Sequence, residues 1–128
     1  MLKQNIDSYN VIFIMADQMK ATSSNLYSRM GVETPNLKSI AQDGVLFNNA
    51  VTPHPLCVPA RTSIMSSRYP HTTGCRRNET FMPDNEVHVF DVWKRNGFKT
   101  GLIGKNHCFE TLGSITEFVL SDLPTLWT

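Results

Sequence analysis

Asn10-Val11-Ile12-Phe13-Ile14-Met15-Ala16 is an unbroken apolar run rich in β-branched residues, and it stops at Asp17-Gln18. No polar residue recurs in it at helical spacing, and its length suits a strand. A strand apolar on both faces is buried on both, as in a parallel sheet flanked by helices. The expected class is therefore α/β. In open α/β sheets, ligands gather beyond the carboxyl ends of the strands, and Asp17 falls at such an end. An acid there either holds a ligand or caps the helix that follows. The residues alone leave both open.

Outward from this run, two more stretches read as strands: Val45-Leu46-Phe47-Asn48-Asn49-Ala50-Val51 and Phe98-Lys99-Thr100-Gly101-Leu102-Ile103. Between the first two lies a punctuated helix. Thr34 is placed as its N-cap, Pro35 as its first residue and Gly44 as its stop. Leu37, Ile40 and Ala41 are its expected buried stripe. Residues 20–31 are polar and aperiodic, a loop with one helical turn. Residues 86–96 read as a helix with Val89, Phe90, Val92 and Trp93 apolar, stopped by Gly97. Residues 109–128 form a tail with scattered apolar residues broken by Pro124, and carry no functional signal.

The 128 residues suffice for one modest domain. An apolar share of 41% with 18% charged residues argues against disorder. A net charge of +1 gives no electrostatic reason to expect nucleic acid or an anionic membrane as partner. The longest apolar run, 11–16, is too short to span a bilayer. Met1-Leu2-Lys3-Gln4-Asn5-Ile6-Asp7 lacks the basic segment and apolar core of a signal peptide. A cytoplasmic location is expected, or a periplasmic or secreted one if a leader has been removed. Cys57, Cys75 and Cys108 form an odd set without metal-site spacing.

The chemistry concentrates in Pro55-Leu56-Cys57-Val58-Pro59-Ala60-Arg61-Thr62-Ser63. Prolines on both sides stiffen the backbone, so Cys57 and Val58 are expected in a loop feeding a helix near Ala60. The positive end of a helix dipole favours a thiolate or a bound oxyanion. Arg61 adds a permanent charge and a planar fork of donors. That combination builds a nucleophile beside an anion clamp. A cysteine that merely packs as a small hydrophobe fits the same residues. Arg76 and Arg77 are either solvated cations or the lining of a pocket for an anionic substrate, and His71 reads as structural. In Gly104-Lys105-Asn106-His107, glycine permits a sharp turn. Lys105 and His107 would share one side of an extended segment, though the pair also fits solvated surface.

Cys57-Val58-Pro59-Ala60-Arg61 resembles the Cys-x-Pro-x-Arg signature of type I sulfatases. Gly97-Phe98-Lys99-Thr100-Gly101-Leu102-Ile103-Gly104-Lys105-Asn106-His107 resembles the second signature of that family, Gly-Tyr-x-Thr-x-x-x-Gly-Lys-x-His. Thr34-Pro35-Asn36-Leu37 followed by Gly44-Val45-Leu46-Phe47-Asn48-Asn49-Ala50 is similar to its N-terminal pattern. The similarity runs from about 10 to about 107. Gln18 stands where many members have a second Asp, Ser67 where glycine is usual, Phe98 for tyrosine and Asn106 for a frequent tryptophan.

The resemblance implies the N-terminal portion of an alkaline-phosphatase-like α/β/α sandwich with a mostly parallel sheet, and hydrolysis of a sulfate ester. It implies that a formylglycine-generating or radical maturase converts Cys57 to formylglycine, whose hydrate attacks sulfur. Asp17, Gln18 and the modified Cys57 would face Ca2+ or Mg2+. Arg61 would hold the modified side chain, Lys105 would neutralise sulfate oxygens, and His107 would hydrogen-bond the hydrate. The substrate would be a sulfate-ester small molecule or a sulfated glycan, with Arg76 and Arg77 beside Lys105 as candidates to meet it. Family members are several times longer, so the chain is expected to be a fragment that binds metal poorly and hydrolyses little alone. A phosphodiesterase or phosphonate monoester hydrolase of the same superfamily, and a non-catalytic truncated domain, are the alternatives.

Overall fold

A computed structural model describes residues 9–110. The chain divides into two compact units between Ala50 and Val51. In the first unit, a 3-10 turn at Ala21–Ser23 leads to an isolated bridge between Ser24 and Val32. The expected loop with one helical turn is thus present. Gly31 permits this closure, because a Cβ there would lie 2.3 Å from the Ser24 carbonyl carbon. The hydroxyls of Ser24 and Thr34 are 2.6 Å apart, and the Thr34 N–H donates to Asn25 Oδ1 at 3.3 Å.

Helix α1, Pro35–Asp43, begins after Thr34 and ends at Gly44, where the punctuation put it. Two details differ. The Thr34 side chain makes no cap bond and instead ties the helix start to the preceding loop. No residue of α1 is buried: Ile40 is 68% exposed, so the expected stripe has no covering layer among the described residues.

The second unit holds α2 (Cys57–Ser66), α3 (Pro70–Thr73) and α4 (Val89–Arg95). Its core is Met65 from α2, Phe90 from α4, and Met82, Cys108 and Phe109 from the loops between and beyond. Val89, Trp93 and Leu102 pack against it. Gly97 ends α4 at φ +86, as expected, and the Phe98 N–H returns to the Trp93 carbonyl at 3.0 Å. Arg68, just past α2, meets the buried carboxylate of Glu86 at 2.8 Å.

The three expected strands are not formed as ladders. Among the described residues, pairing is confined to isolated bridge positions. The run at 10–16 is not buried either, with Ile12 at 82% and Ile14 at 85% exposure. The apolar pattern is a local property, whereas a ladder is completed by neighbours from elsewhere. The expected tail at 109–128 lies almost wholly outside the described residues.

Candidate active site

Helix α2 carries the first signature. Leu56 is its N-cap, with extended φ and ψ, and Cys57 is its first residue. The helix therefore starts earlier than the expected Ala60. Pro59 does not prevent this, because the first-turn N–H groups have no intrahelical partner to lose. The first intrahelical bond runs from the Ala60 N–H to the Leu56 carbonyl, 3.1 Å. The orphan N–H of Val58 donates to Asn78 Oδ1 at 3.2 Å. Cys57 is half-buried at the positive end of the helix, while Val58, Pro59 and Thr62 behind it are fully buried.

Cys57 and Arg61 are four residues apart on α2, hence one turn apart on the same face. Arg61 is 9% exposed, and its Nη1 donates to the Lys105 carbonyl at 2.9 Å. This bond joins the two signatures. The Lys105 segment is not extended. Gly104 sits at φ +90 and His107 at φ +54, so the chain turns twice within four residues. The period-of-two placement of Lys105 and His107 on one side therefore does not hold. Lys105 is exposed and His107 half-buried, with the His107 Nδ1 buried and lacking a partner among the described residues.

Behind this turn, Cys75 and Cys108 are both buried, and the Cys75 thiol donates to the Phe81 carbonyl. Burial pushes the Cys108 thiol up to about 12; nearby Arg61 opposes the shift and Cys75 adds to it. A thiol so protonated is a packing group rather than a nucleophile.

Arg76 and Arg77 are exposed; Arg76 Nη2 reaches the His71 carbonyl at 3.5 Å. His71 stacks on Tyr69 with ring centroids 5.6 Å apart. Asp17 and Gln18 belong to the first unit, both exposed, in a turn where Gln18 has φ +52. Among the described residues, no three of His, Cys, Asp and Glu gather as a cation site. A calcium ion takes six to eight oxygen ligands, and Asp17 with Gln18 falls well short. The described residues alone do not make its cage.

Sequence reasoning missed Asn78 and Asn106. Asn78 lies in a polar, turn-rich stretch with nothing to mark it. Asn106 occupies a variable position of the second signature, and its side chain makes four hydrogen bonds within 106–109, one of them from the Cys108 thiol.

A family model described as Sulfatase matches residues 9–111. The chain belongs to the sulfatase family. It is 34% identical over 98 residues to the ulvan-active sulfatase of Formosa agariphila, covering 77% of this chain and 19% of that protein. It is 31% identical over 120 residues to human steryl-sulfatase, covering 85% and 21%. Human N-acetylgalactosamine-6-sulfatase matches at 28% over 111 residues, covering 77% and 21%. The sulfatase chain described here thus spans about a fifth of the length of these relatives. No solved structure matches it closely enough for comparison. Sulfatase membership implies the alkaline-phosphatase-like fold, whose sheet is not formed among the described residues. No helix among them is long and apolar enough to cross a membrane.

Proposed function

We propose that this chain is the nucleophile-bearing portion of a sulfuric ester hydrolase and has little activity alone. The observation that carries the reading is the Arg61–Lys105 bond, which seats the second signature on the helix that begins with Cys57. A side chain at the first position of α2 sits at the positive end of that helix's dipole. Charge developing on a sulfuryl group there is offset by this fixed dipole, which needs no reorganisation. Arg61 supplies a permanent cation one turn along, and Lys105 a second from the adjoining turn. His107 is the proton-handling group of the set.

The nucleophile is formylglycine, made by a maturase whose own two-electron oxidant converts the Cys57 CH2–SH to CH=O with loss of sulfide. Of the two hydroxyls of the aldehyde hydrate, one would attack sulfur and expel the alcohol of the ester, and deprotonation of the other would then re-form the aldehyde and expel sulfate. Calcium or magnesium would need more oxygen ligands than Asp17 and Gln18 supply. Arg76 and Arg77 are assigned to the approach of an anionic substrate, either a small sulfate ester or a sulfated glycan. Ulvan-active, steryl- and N-acetylgalactosamine-6-sulfatase among the relatives support a sulfate ester over a phosphate diester.

Two measurements test this reading. Mass spectrometry of the Cys57 peptide, after co-expression with a maturase, is expected to find the aldehyde; an unmodified thiol under those conditions would reject the nucleophile. An aryl sulfate assay of the 128-residue chain with calcium is expected to give negligible turnover. Robust turnover by the monomer rejects the fragment reading, and faster cleavage of a phosphate diester than of the sulfate favours the phosphoesterase alternative.

A further inference from the structure

Asn106 fills the variable position of the Gly-Lys-x-His signature, between the two side chains assigned to the oxyanion. Its Oδ1 accepts the N–H groups of Cys108 at 3.2 Å and Phe109 at 3.0 Å. Its Nδ2 donates to the Phe109 carbonyl at 2.9 Å. One side chain therefore closes the turn from both its donor and its acceptor ends. Within that turn sits His107 at φ +54, a region that residues with a Cβ avoid. His107 also keeps its Nδ1 buried without a partner among the described residues. Both features are unfavourable, and both would relax if the turn opened and let the ring reach water.

The turn is anchored at each foot. Upstream, the Lys105 carbonyl receives Arg61 Nη1. Downstream, Cys108 and Phe109 are core residues, and the Met82 N–H donates to the Cys108 carbonyl at 2.8 Å. Asn106 is the side chain that connects the two feet across His107.

We propose that Asn106 is a positioning residue, whose side chain holds His107 in its left-handed conformation and thereby fixes where the His107 ring meets a bound oxyanion. This assignment rests on the sulfate-ester reading above. A turn closed by Asn106 for stability alone would need neither the left-handed histidine nor a buried Nδ1 without a partner among the described residues.

The test uses the isotope-labelled 128-residue chain and the variants Asn106→Ala and Asn106→Asp. Aspartate keeps the acceptor oxygen and loses the Nδ2 donor. Three quantities are read by NMR: amide exchange at Cys108 and Phe109, the backbone shifts of His107, and the response of Lys105 and His107 to inorganic sulfate. In Asn106→Ala, exchange at both amides is expected to rise about tenfold, the loss of one ordinary hydrogen bond. His107 should leave the left-handed region, and the sulfate midpoint should rise about threefold or more, in keeping with a misdirected charged hydrogen bond. Asn106→Asp, which keeps the acceptor oxygen, should restore the amide exchange and the His107 shifts toward wild type, while its added negative charge weakens the sulfate response. Unchanged Met65 and Phe90 signals establish that the fold survives, and if Asn106→Ala unfolds, the Asp variant carries the test.

The proposal is overturned if Asn106→Ala keeps the His107 shifts and the sulfate response of the wild type, or if Asn106→Asp matches Asn106→Ala in amide exchange and His107 shifts. A wild-type chain in which sulfate moves neither Lys105 nor His107 overturns it from the other side, by removing the oxyanion site. The exchange and backbone readouts do not depend on sulfate, so the two failures are distinguishable.

Discussion

Ser67 shows how one substitution in a family pattern is read through backbone geometry. It closes α2 at φ 59 and ψ 24, the left-handed conformation, with its N–H on the Ser63 carbonyl at 2.8 Å. Glycine, the usual family residue there, adopts that conformation without a Cβ clash. Serine pays the steric cost. Ser67→Gly relieves it while adding freedom to the unfolded chain, for a net gain of about 0.5–1 kcal/mol. A rise in the urea midpoint at unchanged slope is the expected result. The residue bears no chemistry, so sulfate binding should be unaffected.

At the scale of the element, α4 carries a pH dependence in its cap. His88 is its N-cap residue; its N–H donates to Asp91 Oδ2 at 3.4 Å, and its Nε2 lies 3.2 Å from the same oxygen. The ring is buried against Phe109, centroids 4.8 Å apart, and against Phe90 at 6.0 Å. Burial lowers the His88 pKa from its ordinary value, and Asp91 only partly offsets this. The unfolded chain therefore takes up the proton first as pH falls. The stability from neutral His88 is complete above about pH 6.5 and is lost as pH drops through the lowered folded value. Thermal melts between about pH 7.5 and 5 should show a declining midpoint in the wild type. His88→Asn, which retains a capping side chain, should flatten that decline, and an identical slope in both proteins would show that another group carries it.

At the scale of the whole molecule, the exposure of apolar residues is the dominant feature. Ile12, Ile14, Val45, Phe47 and Val51 are all exposed large hydrophobics. Exposed large apolar side chains promote association, so the isolated chain should bind a hydrophobic dye and self-associate with concentration. Ile12→Lys with Ile14→Lys should reduce both in sedimentation and fluorescence measurements. What could be read from the residues follows the range of the forces involved. The bounds of α1, the stop of α4 at Gly97, the turn at Gly104 and the two signatures depend on φ preferences, missing donors and residue type, which act over a few positions. The bond from Arg61 to the Lys105 carbonyl, the clamp of Asn106, the left-handed His107 and the Asn78 contact at the start of α2 were not legible. The Arg61 and Asn78 bonds join groups 44 and 20 positions apart, and the clamp and the left-handed histidine, though local, follow no residue pattern that marks them. The strands expected at 10–16, 45–51 and 98–103 failed for the same reason: an apolar run marks a segment able to join a sheet, but ladder hydrogen bonds come from neighbouring strands. Local chemistry named the sulfatase signatures, and only tertiary contact, which brings residues 44 positions apart to 2.9 Å, decided how the second is seated on the helix that carries the first.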